Sequence, residues 1–386
     1  MRKEDGISLI VYIAMVVVVL CVGFFVIAPN GAIISQSFGS DSVILVIIGI
    51  VVGVIFNVII LELGHVIGAK IGGYHIVSVN ILGFAFFKKV HDGKVSKKFK
   101  FPKPFNGLTG QTIIKPKSLK SNFKPIAFIP LMFVLLEVVA VALLFFFVPD
   151  KISGLINPAK GLVVLKYLVL IVTVIGLIIS LYNLVPFRLD SLNDGYQLAI
   201  ISKKENIGPH NEMLRIKADT FLGVDYRPVH EFDELTDYTL KVSNLHMSIL
   251  YLEGEIDETA KILKKYYAKD LKISNSTKDF RDIVNLLLSL TKRTLNDAVK
   301  LYENLTPSAK KELKAQKTAL TLGTYLLYVV LIEKSESELI ANKQRADKFF
   351  KEFSEELNIK EDKAVYEIIY NEVCDLYPNL EKDLHK

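Results

Sequence analysis

The apolar positions of this chain fall into two regimes. In the front half they form long unbroken runs. Four segments are apolar over the length needed to cross about 30 Å of hydrocarbon. These are residues 7–28, a run from Val43 to Leu61 that continues through Glu62 and His65, residues 126–148 with Glu137 inside, and residues 161–187 with Lys166 near the start. Residues 7–28 follow Arg2 and Lys3 and so compete with a cleaved signal peptide. Their apolar core is longer than a typical h-region and no clear small-x-small site follows, which favours a retained helix. Between the second and third runs, short β-prone pieces at 75–82 and 111–114 alternate with Gly and Pro, and Phe84–Phe87 are apolar enough to lie at the membrane surface. From about Gln197 the period becomes helical and charged. Ile256, Ala260, Leu263 and Tyr267 recur at helical spacing, in a segment that opens with Asp257 and Glu258 and ends rich in lysine, as suits a helix dipole. Residues 295–306 resemble 256–267 at an offset of 39.

The pattern therefore predicts a mainly-α chain. A polytopic membrane bundle of about four transmembrane helices occupies 1–195, and a soluble helical domain occupies 196–386. The two similar segments give that domain a tetratricopeptide-like reading, although the offset exceeds the roughly 34 residues of that repeat. A plain helical bundle is the alternative. Either form offers a groove for a protein partner.

Composition sharpens the division. Residues 1–195 hold 18 Lys and Arg against 9 Asp and Glu, whereas residues 196–386 hold 29 against 32. This excludes a wholly soluble enzyme, a disordered chain and a collagen-like repeat. Only Cys21 and Cys374 are present, which excludes a disulfide framework and a cysteine-based zinc finger. Twelve lysines crowd residues 70–124, none lies in 29–42, and Arg2 and Lys3 precede the first run. The positive-inside rule then places both termini and the lysine-rich loop in the cytoplasm, and Lys166 snorkels at the outer face. The loop's lysines suit anionic headgroups of the lipid membrane. Nucleic acid is not an expected partner of a membrane-proximal loop. Forty Lys against 7 Arg point to an AT-rich genome, such as a bacterium's, and hence to a multi-pass protein of the bacterial cell membrane.

Ionisable residues inside a membrane helix are costly and mark function by default. The second run reads Leu61-Glu62-Leu63-Gly64-His65. In the H-E-x-x-H motif two histidines at i and i+4 hold zinc and the Glu activates its water. Here Leu61 stands at the first histidine, and E-x-x-H alone is common. The fourth run ends Asn183-Leu184-Val185-Pro186, which breaks a membrane helix where the backbone is buried in protein or lines a cavity. Asp194-Gly195 follows, and its carboxylate can turn inward or simply form a turn. Asp190 is a second candidate carboxylate, His75 a remote substitute histidine, and Glu137 a further buried carboxylate.

Taken together, the two sites resemble the site-2 protease family of intramembrane zinc metalloproteases, in a Gram-positive-like branch. Gly64 and Ala69 match the first family motif; Asn183, Pro186, Asp194 and Gly195 match the later one, and Gly110-Gln111 matches the loop. The likeness spans about residues 43–200. It implies Glu62 as general base, His65 and Asp194 as zinc ligands, and a membrane-embedded or exported peptide as substrate. Leu61 departs from the family and removes one of three expected ligands. The resemblance thus implies either an intramembrane zinc metalloprotease or a pseudoprotease that binds membrane peptides without cutting them. A transporter, sensor or immunity-type membrane protein is the remaining class.

Overall fold

A computed structural model describes the chain from residue 41 to residue 376, apart from residues 83, 92–93, 101–110, 148–157, 187–192, 225–229, 231, 233, 268–270, 272 and 353–358, together with Val17 ahead of it. The expected first span at 7–28 and the candidate Asp190 lie outside the described residues. The fold is a mainly-α membrane bundle followed by a helical region. It divides into two compact units, Met1–Tyr226 and Arg227–Lys386, so the boundary falls later than the expected residue 195.

In the first unit α1 (Asp41–Gly72) is one continuous apolar helix. Gly73, at φ +84°, turns the chain into a sheet. Strands β1 (Tyr74–Ile81), β2 (Phe84–His91), β3 (Lys94–Lys100) and β4 (Gln111–Pro116) are antiparallel in the order β3-β2-β1-β4. The register pairs Ser78 with Phe87, Phe86 with Phe99 and Ile76 with Ile114, with an irregularity in β1 between Ile76 and Ser78. The stretch expected to hold two β-prone pieces thus holds four strands. The lysines of β3 hid it, since Lys is depleted in strands. Helices α2 (Lys124–Phe147), α3 (Pro158–Leu184), α4 (Asp194–Ile201) and α5 (Ile207–Leu222) complete the unit, with a 3-10 turn at Lys204–Asn206 before α5.

Among the described residues three helices are long and apolar enough to cross a membrane, with spans at Val43–Gly72, Lys124–Leu144 and Val164–Leu184. Close packing sets their directions. Gly49 of α1 faces Leu168 and Ile171, and Gly53 faces Val172 and Ile175, so α1 and α3 run parallel. Gly64 lies against Pro130 and Gly68 against Ile126, so α2 runs antiparallel to both. Small residues four apart let helix backbones approach where lipid supplies no hydrophobic driving force. At the base of the bundle Ala69, Tyr74, Ile114, Phe123, Ile126, Ala127 and Ile201 form one core joining α1, the sheet, α2 and α4. On the other face of the sheet Val77 and Ile113 pack on Ala218 of α5. Tyr74 ties α5 down by donating to Asn211 (2.7 Å).

The second unit is helical throughout its described residues: α6 (Asp237–Leu252), α7 (Ile256–Lys265), α8 (Asn275–Thr291), α9 (Leu295–Asn304), α10 (Pro307–Ala315), α11 (Ala319–Tyr328), a π-helical turn at Val329–Glu333, α12 (Glu336–Glu352) and α13 (Ile359–Leu376). Pro307–Ala315 and Ala319–Glu333, bent by 94°, reach membrane-crossing length and apolarity as a pair, which makes four spans if they count as one. Both also contribute to the unit's buried core. The two similar segments are α7 and α9. Leu263 is buried as its period requires, but the helix ends at Lys265, so Tyr266 is buried while the expected Tyr267 is 41% exposed. The pairs α6–α7 and α8–α9 pack in succession, yet α13 returns against α6. The array closes on itself, whereas a solenoid would stay open.

Candidate functional site in the membrane bundle

The site forms where α1 and α3 end beside the start of α2. Glu62 and His65 are one helical turn apart, share a face and are buried, at 1% and 9% exposure. Gly64 between them makes this depth attainable. A methyl group there would stand 2.7 Å from the Pro130 ring and 2.8 Å from its backbone, so only glycine lets α1 press this close to α2.

The partner residues come from the broken end of α3. The helix stops at Leu184 and Pro186 cannot continue it. Asn193 rebuilds the break: its Nδ2 donates to the carbonyls of Tyr182 (2.8 Å) and Val185 (2.7 Å), and its Oδ1 caps α4 by accepting from the Tyr196 amide (3.0 Å). Gly195 crosses directly over the exposed carbonyl of Leu184, where any Cβ would collide with it. Asp194, 8% exposed, is thereby turned into the bundle.

The four polar side chains then meet. His65 Nε2 donates to Asp194 Oδ2 at 2.8 Å, and Asn183 Nδ2 donates to the same oxygen at 2.7 Å. His65 Nδ1 lies 3.6 Å from Glu62 Oε2. Thr112 of β4 donates to that Glu62 oxygen at 2.5 Å. The imidazole is therefore bracketed by two carboxylates, each held by a neutral donor. Such an arrangement can hold a proton between His65 and Asp194 and present Glu62 as an acceptor.

The structure thus brings together Glu62, His65, Asn183 and Asp194, with Gly64, Pro186 and Gly195 shaping the backbone around them. Thr112 and Asn193 were not singled out in the sequence. Asn193 had a signal, since Asn before Asp-Gly is a common cap and turn residue. Thr112 had none, because a strand residue reaching a membrane-helix carboxylate depends on tertiary placement. His75 is exposed on β1, in register with Lys115, which removes it as a substitute ligand. Glu137 is on the inward stripe of α2 with Pro130, Val134 and Val141, and neither carboxyl oxygen has a hydrogen-bond partner.

A zinc centre of the resembled type needs three protein ligands. Leu61 is half-buried at the first ligand position and cannot ligate. His65 Nε2 and Asp194 Oδ2 already face each other at hydrogen-bond distance. Among the described residues no three His, Cys, Asp or Glu side chains are grouped to hold a metal ion. Among the described residues the site thus supplies two of the three ligands that such a centre needs, His65 and Asp194.

No family model, curated protein or solved structure matches this chain.

Proposed function

We propose that this is a membrane protein of site-2-protease-like design that holds a membrane-embedded or exported peptide and, as its sequence stands, does not cut it. The observation that carries the reading is the 2.8 Å contact of His65 with Asp194 beside Glu62, with leucine at residue 61. This grouping supports the reading of a peptidase-like site that lacks one ligand. Strand β4 supports the peptide-binding half of the proposal. It is the edge of the sheet among the described residues, and its Thr112 touches Glu62. An extended peptide can add to such an edge by backbone hydrogen bonds, which brings its amides to the buried cluster. The cluster then serves as a polar anchor for peptide groups that lipid would leave unsatisfied. The helical second unit is the natural seat for a protein partner. The lysine distribution supports a bacterial cell-membrane location with both termini in the cytoplasm.

An active zinc metallopeptidase is the second reading, favoured by Glu62 lying 3.6 Å from His65, where a general base belongs. Zinc stoichiometry of the purified protein beside the Leu61→His variant separates the two. The proposal expects no tight zinc in the protein as it stands and about one per chain in the variant. One tight zinc per chain before substitution overturns it. Photo-crosslinking from Gln111 to a membrane peptide, with the peptide recovered intact, tests the binding half.

A further inference from the structure

The β2–β3 strand pair has two faces of opposite character. The register sets Phe86 opposite Phe99 and Lys88 opposite Lys97. Side chains alternate along a strand, so Phe84, Phe86 and Lys88 share a face with Lys97 and Phe99. Phe87 falls on the other face, where it meets Phe221 of α5 edge-on at 6.1 Å between ring centroids. That second face is the one turned to the protein.

The rings on the first face are half-exposed. Phe84, Phe86 and Phe99 are 40%, 55% and 46% exposed. Their rings nonetheless form one cluster, with Phe86 and Phe99 centroids 4.8 Å apart and Phe84 and Phe99 6.4 Å apart. A contiguous aromatic patch on a surface marks an interaction site. Two lysines flank the rings on this same face, Lys88 of β2 and Lys97 of β3. The patch is also close in the chain to the bilayer. The span of α1 ends at Gly72, β1 starts at Tyr74, and β2 is hydrogen-bonded to β1, with Phe84 opposite Ile81 and Phe86 opposite Val79.

An aromatic cluster edged by lysines fits the interfacial zone of an anionic bilayer. Rings occupy the headgroup level, while ammonium groups on flexible stems reach lipid phosphates. We propose that this face of the β2–β3 pair docks on the anionic lipid surface of the membrane that α1 crosses. Phe84, Phe86 and Phe99 enter the headgroup zone, and Lys88 and Lys97 meet the phosphates. The sheet is then anchored at two points, by α1 and by this face, which fixes β4 and its Thr112 relative to the bilayer.

The chain contains no tryptophan, so Phe86→Trp creates a single reporter at an exposed position. The full chain is placed in nanodiscs of phosphatidylglycerol and phosphatidylcholine whose acyl chains carry bromine. The proposal expects blue-shifted emission, quenching by the brominated lipid and protection from aqueous iodide. Phe99→Trp should behave alike, whereas Phe87→Trp, packed on Phe221, should escape the bromine. Lys88→Glu with Lys97→Glu in the Phe86→Trp chain should cut the bromine quenching at least twofold. Emission typical of water with full iodide access overturns the proposal. So does shielding from iodide without bromine quenching, which means that protein covers the face. Equal quenching in pure phosphatidylcholine overturns the requirement for anionic lipid.

Discussion

His65 and Asp194 are 129 residues apart in the chain and 2.8 Å apart in the fold. The contact joins the end of one membrane helix to the first turn after the break in another. Asp194 also accepts from Asn183, so this one carboxylate is the acceptor for two donors, the buried His65 and the half-buried Asn183. Breaking a buried pair on one side leaves an uncompensated polar group and costs about 3–5 kcal/mol. Asp194→Leu should therefore lower the thermal unfolding midpoint of the detergent-solubilised protein sharply. Asn183→Leu removes a neutral donor to that carboxylate and a long acceptor contact (3.4 Å) for the Asp194 amide, and should cost less, about 1–3 kcal/mol. Equal midpoints for Asp194→Leu and the parent would show that the pair does not hold the bundle.

Glu62 and the missing ligand can be tested in combination. In the Leu61→His background, Glu62→Gln should keep the bound zinc and abolish any peptide cleavage that Leu61→His has gained. Loss of zinc in the double variant would instead make Glu62 a ligand, which metal analysis of the two purified variants would reveal.

Gly64 is a packing residue as much as a motif residue. Gly64→Ala puts a methyl 2.8 Å from Pro130 backbone atoms, and the two helices must part. Overpacking of this kind costs about 1–3 kcal/mol. It should also loosen the cluster that Gly64 separates. Cysteine pairs placed across α1 and α2 should crosslink more slowly in the variant.

His210 predicts a pH dependence outside the membrane spans. It is 2% exposed on α5, its Nε2 3.2 Å from Gln197 Oε1, with its ring edge-on to Phe123. Burial lowers its pKa from 6.5 to about 4. The folded state therefore keeps the imidazole neutral where the unfolded chain would protonate it. The stabilisation is fully present above about pH 6.5 and is lost as pH falls through about 4, a difference of about 3 kcal/mol. His210→Gln should flatten the pH 7 to 4 stability curve by that amount relative to the parent. Curves that remain parallel would rule out a buried neutral imidazole.

Topology is tested by reporter fusions at Ser40 and Lys98, which α1 separates. They should report opposite sides of the membrane, with Lys98 in the cytoplasm. Identical sides would remove α1 as a span.

Much of this arrangement could be read from residue order. Apolar length found α1, α2 and α3, because a membrane span is defined by composition alone. Spacing found Glu62 with His65, because i and i+3 share a helix face. The likeness of two short motifs to one family paired them with Asn183 and Asp194, a contact no local rule yields. What residue order hid is equally physical. Strand β3 holds four lysines in seven residues and reads as a solvated loop until β2 pairs with it. Tyr266 replaces Tyr267 in the core because α7 ends at Lys265 and the period ends with it. The closure of the second unit by α13 against α6 joins residues too far apart for any repeat pattern to register.

The glycines of α1 also decide which backbones the helix meets. Along its first half Gly49 and Gly53 bring the helix against α3, with Gly176 of α3 opposite Asn57; along its second half Gly64, Gly68 and Gly72 bring it against Pro130, Ile126 and Asn122. The α2 flank of α1 meets backbone at Pro130, Ile126 and Asn122, whereas the α3 flank meets it only at Val172, and backbone cannot step aside by changing a rotamer. Helix α2 contains no glycine, and the one glycine in the α3 span is spent on α1. Helix α1 is thus the fixed member of the bundle, held to α3 along one half and to α2 along the other.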